Sequence, residues 1–187
     1  MANPEHLELA RQGRDAWNKG RPRNPDLPAD FSRTDFRAPG SNKISFAGFE
    51  FGPGADFSHC VFGGADHRAV AEQDVNPYAA DVARFLEGGA WFYGASFGPS
   101  ANFTGVIFEG VAVFQRAAFG RDANFAGAVF RDEANFVGAQ FAGGATFAGA
   151  AFGKLLQCER ARFAGAVSFA AQPDTPPPPH ATFRHAR

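Results

Sequence analysis

The sequence predicts an all-β solenoid, and three observations predict it. Phenylalanine dominates the chain, with 23 residues in 187 against two tyrosines, two tryptophans and one methionine. From position 92 these rings fall at 92, 97, 103, 108, 114, 119, 125, 130, 136, 141, 147 and 152, give way to Cys158, and resume at Phe163 and Phe169. The steps alternate five and six, so the period is 11, and 14 of the 15 slots hold Phe. A small residue runs two positions ahead of each slot, as in Ala90, Ala95, Ala101, Ala112, Ala117 and Ala123, with Val106, Leu156 and Val167 as the larger members. Glycine is dense, with 14 in residues 88–171, many of them two after a Phe.

An 11-residue period also suits a right-handed helical supercoil. That reading fails, because a five-residue step turns about 140° round an α-helix and scatters the rings off any one stripe. Each interior glycine also costs a helix about 1 kcal/mol relative to alanine. In an extended chain Ala and Phe two apart point to the same side, and a glycine-bearing corner follows. One such unit cannot bury its ring alone. The units therefore wind into coils that stack, pairing their backbones in parallel about 4.8 Å apart. Each buried Phe contributes roughly 1.5–3 kcal/mol.

The units Ala55-Asp56-Phe57, Ala101-Asn102-Phe103, Ala123-Asn124-Phe125 and Ala134-Asn135-Phe136, with Gly105, Gly127 and Gly138 trailing, resemble the pentapeptide-repeat family. The resemblance covers about 46–62 and 90–170. It implies a right-handed quadrilateral parallel β-helix with four units per coil. This chain departs by adding one residue to every second unit. A coil then steps five, six, five and six, and returns to its starting face one coil later, as from Phe92 to Phe114. The expected columns are Phe92, Phe114, Phe136 and Cys158; Phe97, Phe119, Phe141 and Phe163; Phe103, Phe125, Phe147 and Phe169; and Phe108, Phe130 and Phe152. The added residues are expected at two of the four corners.

Around this core the chain divides into 1–30, an N-terminal helix and lead-in; 31–62, the first coils; 63–89, an insertion; 90–171, the main solenoid; and 172–187, a disordered proline-rich tail. Residues 3–20 predict one helix, capped by Asn3, opened by Pro4 and stopped by Gly20. It serves as a lid over the first coil, whose open edge would otherwise invite aggregation. The segments Asn3-Pro4-Glu5-His6-Leu7, Trp17-Asn18-Lys19 and Asn24-Pro25-Asp26-Leu27 resemble the leader of some bacterial members. Phe31 and Phe36 start the first coil irregularly. A regular step from Phe62 would put the next ring at position 68. It comes instead at Phe92, so a stretch as long as 68–91 is inserted. Asn76-Pro77 and the spacing of Ala80, Val82, Phe85 and Leu86 predict a helix there. Residues 44–87 carry seven acids against Arg68 and Arg84, and Asp66, Glu72, Asp74, Asp81 and Glu87 are the candidate partner contacts of this insertion.

No catalytic, cofactor or metal site stands out. His59, Cys60, Asp66 and His67 are close in sequence, but Cys60 falls two before Phe62, an inward slot, and Cys158 occupies a ring slot. Both read as buried thiols several coils apart, beyond disulfide reach, which suits a cytoplasmic setting. There is no phosphate-binding Gly-Lys-Ser/Thr loop and no nucleophile elbow. Asp132-Glu133 falls at a solvated corner. Arg11, Arg14, Lys19, Arg21 and Arg23 are interrupted by acids and lack aromatic platforms, so direct nucleic-acid binding is not expected. No apolar run reaches the ~18 residues of a membrane span, and the opening Met-Ala-Asn-Pro predicts no signal peptide. Nothing at the C-terminus indicates a homodimer. The expectation is a non-catalytic scaffold for an unidentified protein partner. The resemblance offers an alternative, imitation of duplex DNA at a bacterial type II topoisomerase. That needs a strongly acidic rod, whereas residues 88–171 carry six basic and five acidic side chains.

Overall fold

In the computed structural model, residues 2–20, 27–38, 44–63, 89–169 and 181–182 are described. The chain is a parallel β-solenoid with four sheets and two short N-terminal helices. The four sheets are its four faces, and each is built from two-residue strands. Face A stacks Ala90–Trp91, Ala112–Val113, Ala134–Asn135, Leu156–Gln157 and Ala181–Thr182. Face B stacks Ser96–Phe97, Ala118–Phe119, Gln140–Phe141 and Arg162–Phe163. Face C stacks Ala123–Asn124, Ala145–Thr146 and Val167–Ser168, continued towards the N-terminus by bridges through Asn102, Asp56 and Asp30. Face D stacks Val61–Phe62, Ile107–Phe108, Val129–Phe130 and Ala151–Phe152.

Ring stacking fixes this register. Within the main solenoid each residue pairs with its equivalent one coil on, as in Ala112↔Ala134 and Phe119↔Phe141. That puts Phe over Phe in four columns with the memberships expected from the spacing. Neighbours in a column lie nearly parallel: Phe92–Phe114 at 4.8 Å and 2°, Phe119–Phe141 at 4.6 Å and 6°, Phe125–Phe147 at 4.9 Å and 5°, and Phe130–Phe152 at 5.0 Å and 1°. Rings of the opposed faces A and C meet edge to face across the bore, as do Phe103 and Phe114 at 89°. Both arrangements suit the ring quadrupole. Most of the small slots between them are buried almost completely, including those filled by Val106 and Leu156.

Two kinds of corner absorb the alternating steps. After faces A and C the step is the shorter one, and a tight turn closes with an i→i+3 hydrogen bond, as from Ala95 N–H to Phe92 O and from Ala128 N–H to Phe125 O. Its third residue is left-handed, for instance Gly94 (φ +61°) and Gly127 (φ +63°). The residue before the ring secures that turn. The side chains of Asp56, Asn102, Asn124 and Asn135 accept from the N–H two residues on, at 2.8–3.1 Å, which is the local bond that Asx turns use. The longer steps follow faces B and D, and the added residue sits at those two corners.

Two helices form the lid where the spacing predicted one. Helix α1 is Pro4–Arg11 and α2 is Arg14–Gly20. Asn3 caps α1 as expected, accepting from Glu5 N–H at 2.9 Å. The break lies at Gly13, whose φ of +88° ends α1 and re-aims the chain. The lid then satisfies the open backbone of the first coil. Asp30 N–H donates to His6 Nδ1 at 3.0 Å, Asn18 spans Gly48 O and Glu50 N–H, and Trp17 Nε1–H donates to Glu50 O at 3.0 Å. Trp17 is fully buried against Phe31, Phe49 and Phe51.

The chain departs from the regular coil at both ends of the stack and at the insertion. Phe31 and Phe36 stack on Phe57 and Phe62 at 4.9 and 4.5 Å. Both pairs are further apart in sequence than one regular coil, and the excess lies between Phe36 and Phe46. Val61 pairs with Ile107, so the chain between them holds the insertion as well as one coil. The predicted helix of the insertion lies outside the described residues. In the segment read as a free tail, Ala181–Thr182 pairs in parallel with Leu156–Gln157. The signal for that strand is the triplet Ala181-Thr182-Phe183, identical to Ala145-Thr146-Phe147.

Candidate functional site: the outer faces

A core filled with rings leaves the outside as the working surface. The residue just before each ring points outward, so each face displays one column of side chains spaced one coil apart. On face D that column is Val61, Ile107, Val129 and Ala151, an apolar strip that is only half buried. Face C displays Asp56, Asn102, Asn124, Thr146 and Ser168, and face B Ser96, Ala118, Gln140 and Arg162. Face A carries a small separate cluster of Ala47, Trp91 and Val113, with Tyr93 and Val111 against it.

A ridge of ion pairs runs along one side of the face D strip, at the corner that takes the added residue. Arg37 grips Asp35 with two bonds of 2.9 Å and reaches Glu109 at 3.7 Å. Glu109 also meets Arg131 at 3.2 Å, and Lys154 meets Asp132 at 2.6 Å. The stacking of coils makes this ladder, because Glu109 and Arg131 are one coil apart. The Arg37 guanidinium holds the Asp35 carboxyl below the usual carboxylate range, and Asp35 in turn raises Arg37. Glu133 lies at the same corner, and burial, then the neighbouring Asp132 and Glu159, raises its carboxyl. Open to solvent, these pairs add little to stability.

Cys60 and Cys158 are buried free thiols, and burial pushes each up to about 12. Cys60 Sγ also donates to Phe31 O at 2.9 Å. His59 sits at a left-handed corner, and Asp66 and His67 lie outside the described residues. Among the described residues no three of His, Cys, Asp or Glu converge as metal ligands. A shallow open groove of about 370 Å³ lies on face C beside Asn124, Thr146 and Ser168. Asn124 and Thr146 spend their side-chain oxygens on the N–H groups of Ala126 and Ala148. On the lid, Arg11 pairs with Glu8 and Arg14 with Asp15. No helix of the described residues is long and apolar enough to cross a membrane.

The predicted contacts Asp66, Glu72, Asp74, Asp81 and Glu87 all lie outside the described residues. The strip on face D was missed from sequence. Its signal was a β-branched residue recurring just before the ring at 61, 107 and 129, where the face before it carries Asp or Asn.

The family model for pentapeptide repeats, in nine copies, matches residues 103–151 and 127–171. No curated protein and no solved structure matches the chain significantly. Residues 103–171 are pentapeptide repeats, and the matched coils continue, ring on ring, into those before them.

Proposed function

We propose that this chain is a non-catalytic scaffold that binds another protein through its outer surface, with the face D strip at the centre of the contact. The observation that carries the reading is the pairing of Val61, Ile107, Val129 and Ala151 with the ridge Arg37–Glu109–Arg131 beside them. An apolar centre with a charged rim is the usual anatomy of a protein interface. The thiols held near 12 and the ring-filled interior support a non-catalytic role. Imitation of duplex DNA calls for a run of unpaired acids, and here Glu109 stands between two arginines while Asp132 is held by Lys154.

The test is the double variant Ile107→Glu, Val129→Glu. Both side chains face outward, so the variant keeps its circular dichroism spectrum. It should lose the proteins that the wild type captures by chemical cross-linking. An unchanged set of captured proteins contradicts the reading, and so does dose-dependent inhibition of gyrase supercoiling by the wild type.

A further inference from the structure

The last described strand does not lie where the repeat would put it. On face A the strands starting at Ala90, Ala112, Ala134 and Leu156 follow one another at the spacing of one coil. The next would start at position 178, inside the run Pro176 to Pro179. Proline has no N–H and is confined to the margins of a sheet. The ladder is extended instead by Ala181–Thr182, three places late in the chain yet in register with Leu156 and Gln157. Its sequence is a true repeat unit, since Ala145-Thr146 is itself a strand of face C followed by the buried Phe147. A repeat unit that follows a proline run therefore closes the end of one sheet.

This end is also the less covered one. Phe169, in the last coil, is 38% exposed, whereas Phe147 beneath it is 3% exposed. At the other end the lid seals the first coil with Trp17, Asn18 and His6. A two-residue strand adds few ladder bonds, and among the described residues it is paired on one side only.

We infer that the edge Leu156–Gln157 is a strand-acceptor site, filled in the free chain by its own Ala181–Thr182 and able to take the same C-terminal segment from a second copy. Recognition is strand addition, in which main-chain bonds give affinity and the alternating side chains give selectivity. Exchange of an identical element between copies needs no new surface. The site lies at the end of the solenoid, apart from the face D strip, and does not rest on the scaffold reading.

The probe is a fluorescent peptide of residues 179–187, Pro-His-Ala-Thr-Phe-Arg-His-Ala-Arg, titrated against full-length chains and read by anisotropy. Thr182→Pro in the full chain removes an N–H from the resident strand and vacates the edge. The peptide should bind this variant at least tenfold more tightly than the wild type, and a peptide carrying the same proline should not bind it. Equal affinity for the two chains, or equal binding of the two peptides, overturns the inference. Hydrogen exchange on the wild type asks the same question without a mutation. The Thr182 amide should exchange at least 100-fold faster than that of Asn135 on the same face, and equal rates overturn it.

Discussion

Arg116 and Arg160 stand at corner positions that Gly94 and Gly138 occupy in alternate coils, all four with φ between 58° and 67°. A left-handed residue with a Cβ costs roughly 1–2 kcal/mol, so Arg160→Gly should raise the unfolding free energy by about 1 kcal/mol in a urea titration. Gly127→Ala should lower it by a similar amount. Nothing lies within 4 Å of the added methyl, so backbone strain alone is measured. The thiols give a pH prediction. Unfolded, they begin to lose protons near pH 9, whereas burial holds them protonated to about 12. Because the folded values are raised, their stabilisation at low pH is complete below pH 9 and is lost as pH rises towards 12. The wild type should therefore lose stability more steeply above pH 9 than a Cys60→Ala, Cys158→Ala variant. At this scale the sequence was readable wherever a residue filled a slot, as Cys60 and Cys158 do. The outward residue was not readable in the same way, because Asn124 caps a turn on face C while Val129 one step later caps nothing.

Elements were legible where they repeat and obscure where they occur once. The 11-residue pattern located the units and their columns because each ring has another above or below it. The spacing predicts one helix for the lid because Leu7, Ala10, Arg14 and Trp17 fall near one face. Gly13 breaks it so that Trp17 can reach Phe31, Phe49 and Phe51. Trp17→Ala should cost about 3–5 kcal/mol, as large-to-small core changes do. It should also promote aggregation through the unsealed edge, measured by light scattering during thermal unfolding. The strand at Ala181–Thr182 was hidden by a proline run that suggests a free end, and only its partner Leu156–Gln157 reveals it.

The whole molecule is a stack of coils in which each touches only its neighbours, so its stability is nearly a sum of coils and interfaces. The segment 64–87 interrupts that stack in sequence but not in space, since Phe62 and Phe108 stack at 5.3 Å across it. Deleting 64–87 restores the regular step from Phe62 to the next ring. The product should unfold in a single cooperative transition with the wild-type circular dichroism spectrum. The register that sets Phe over Phe one coil apart is the central claim, and duplicating residues 112–133 tests it most directly. The added coil inserts four rings, one per column, and should raise the unfolding free energy above that of the wild type. The same duplication lacking the copied Gly120 throws the later faces out of register and should lower it. A full-coil duplication that lowers stability, or a shortened one that matches it, contradicts the account.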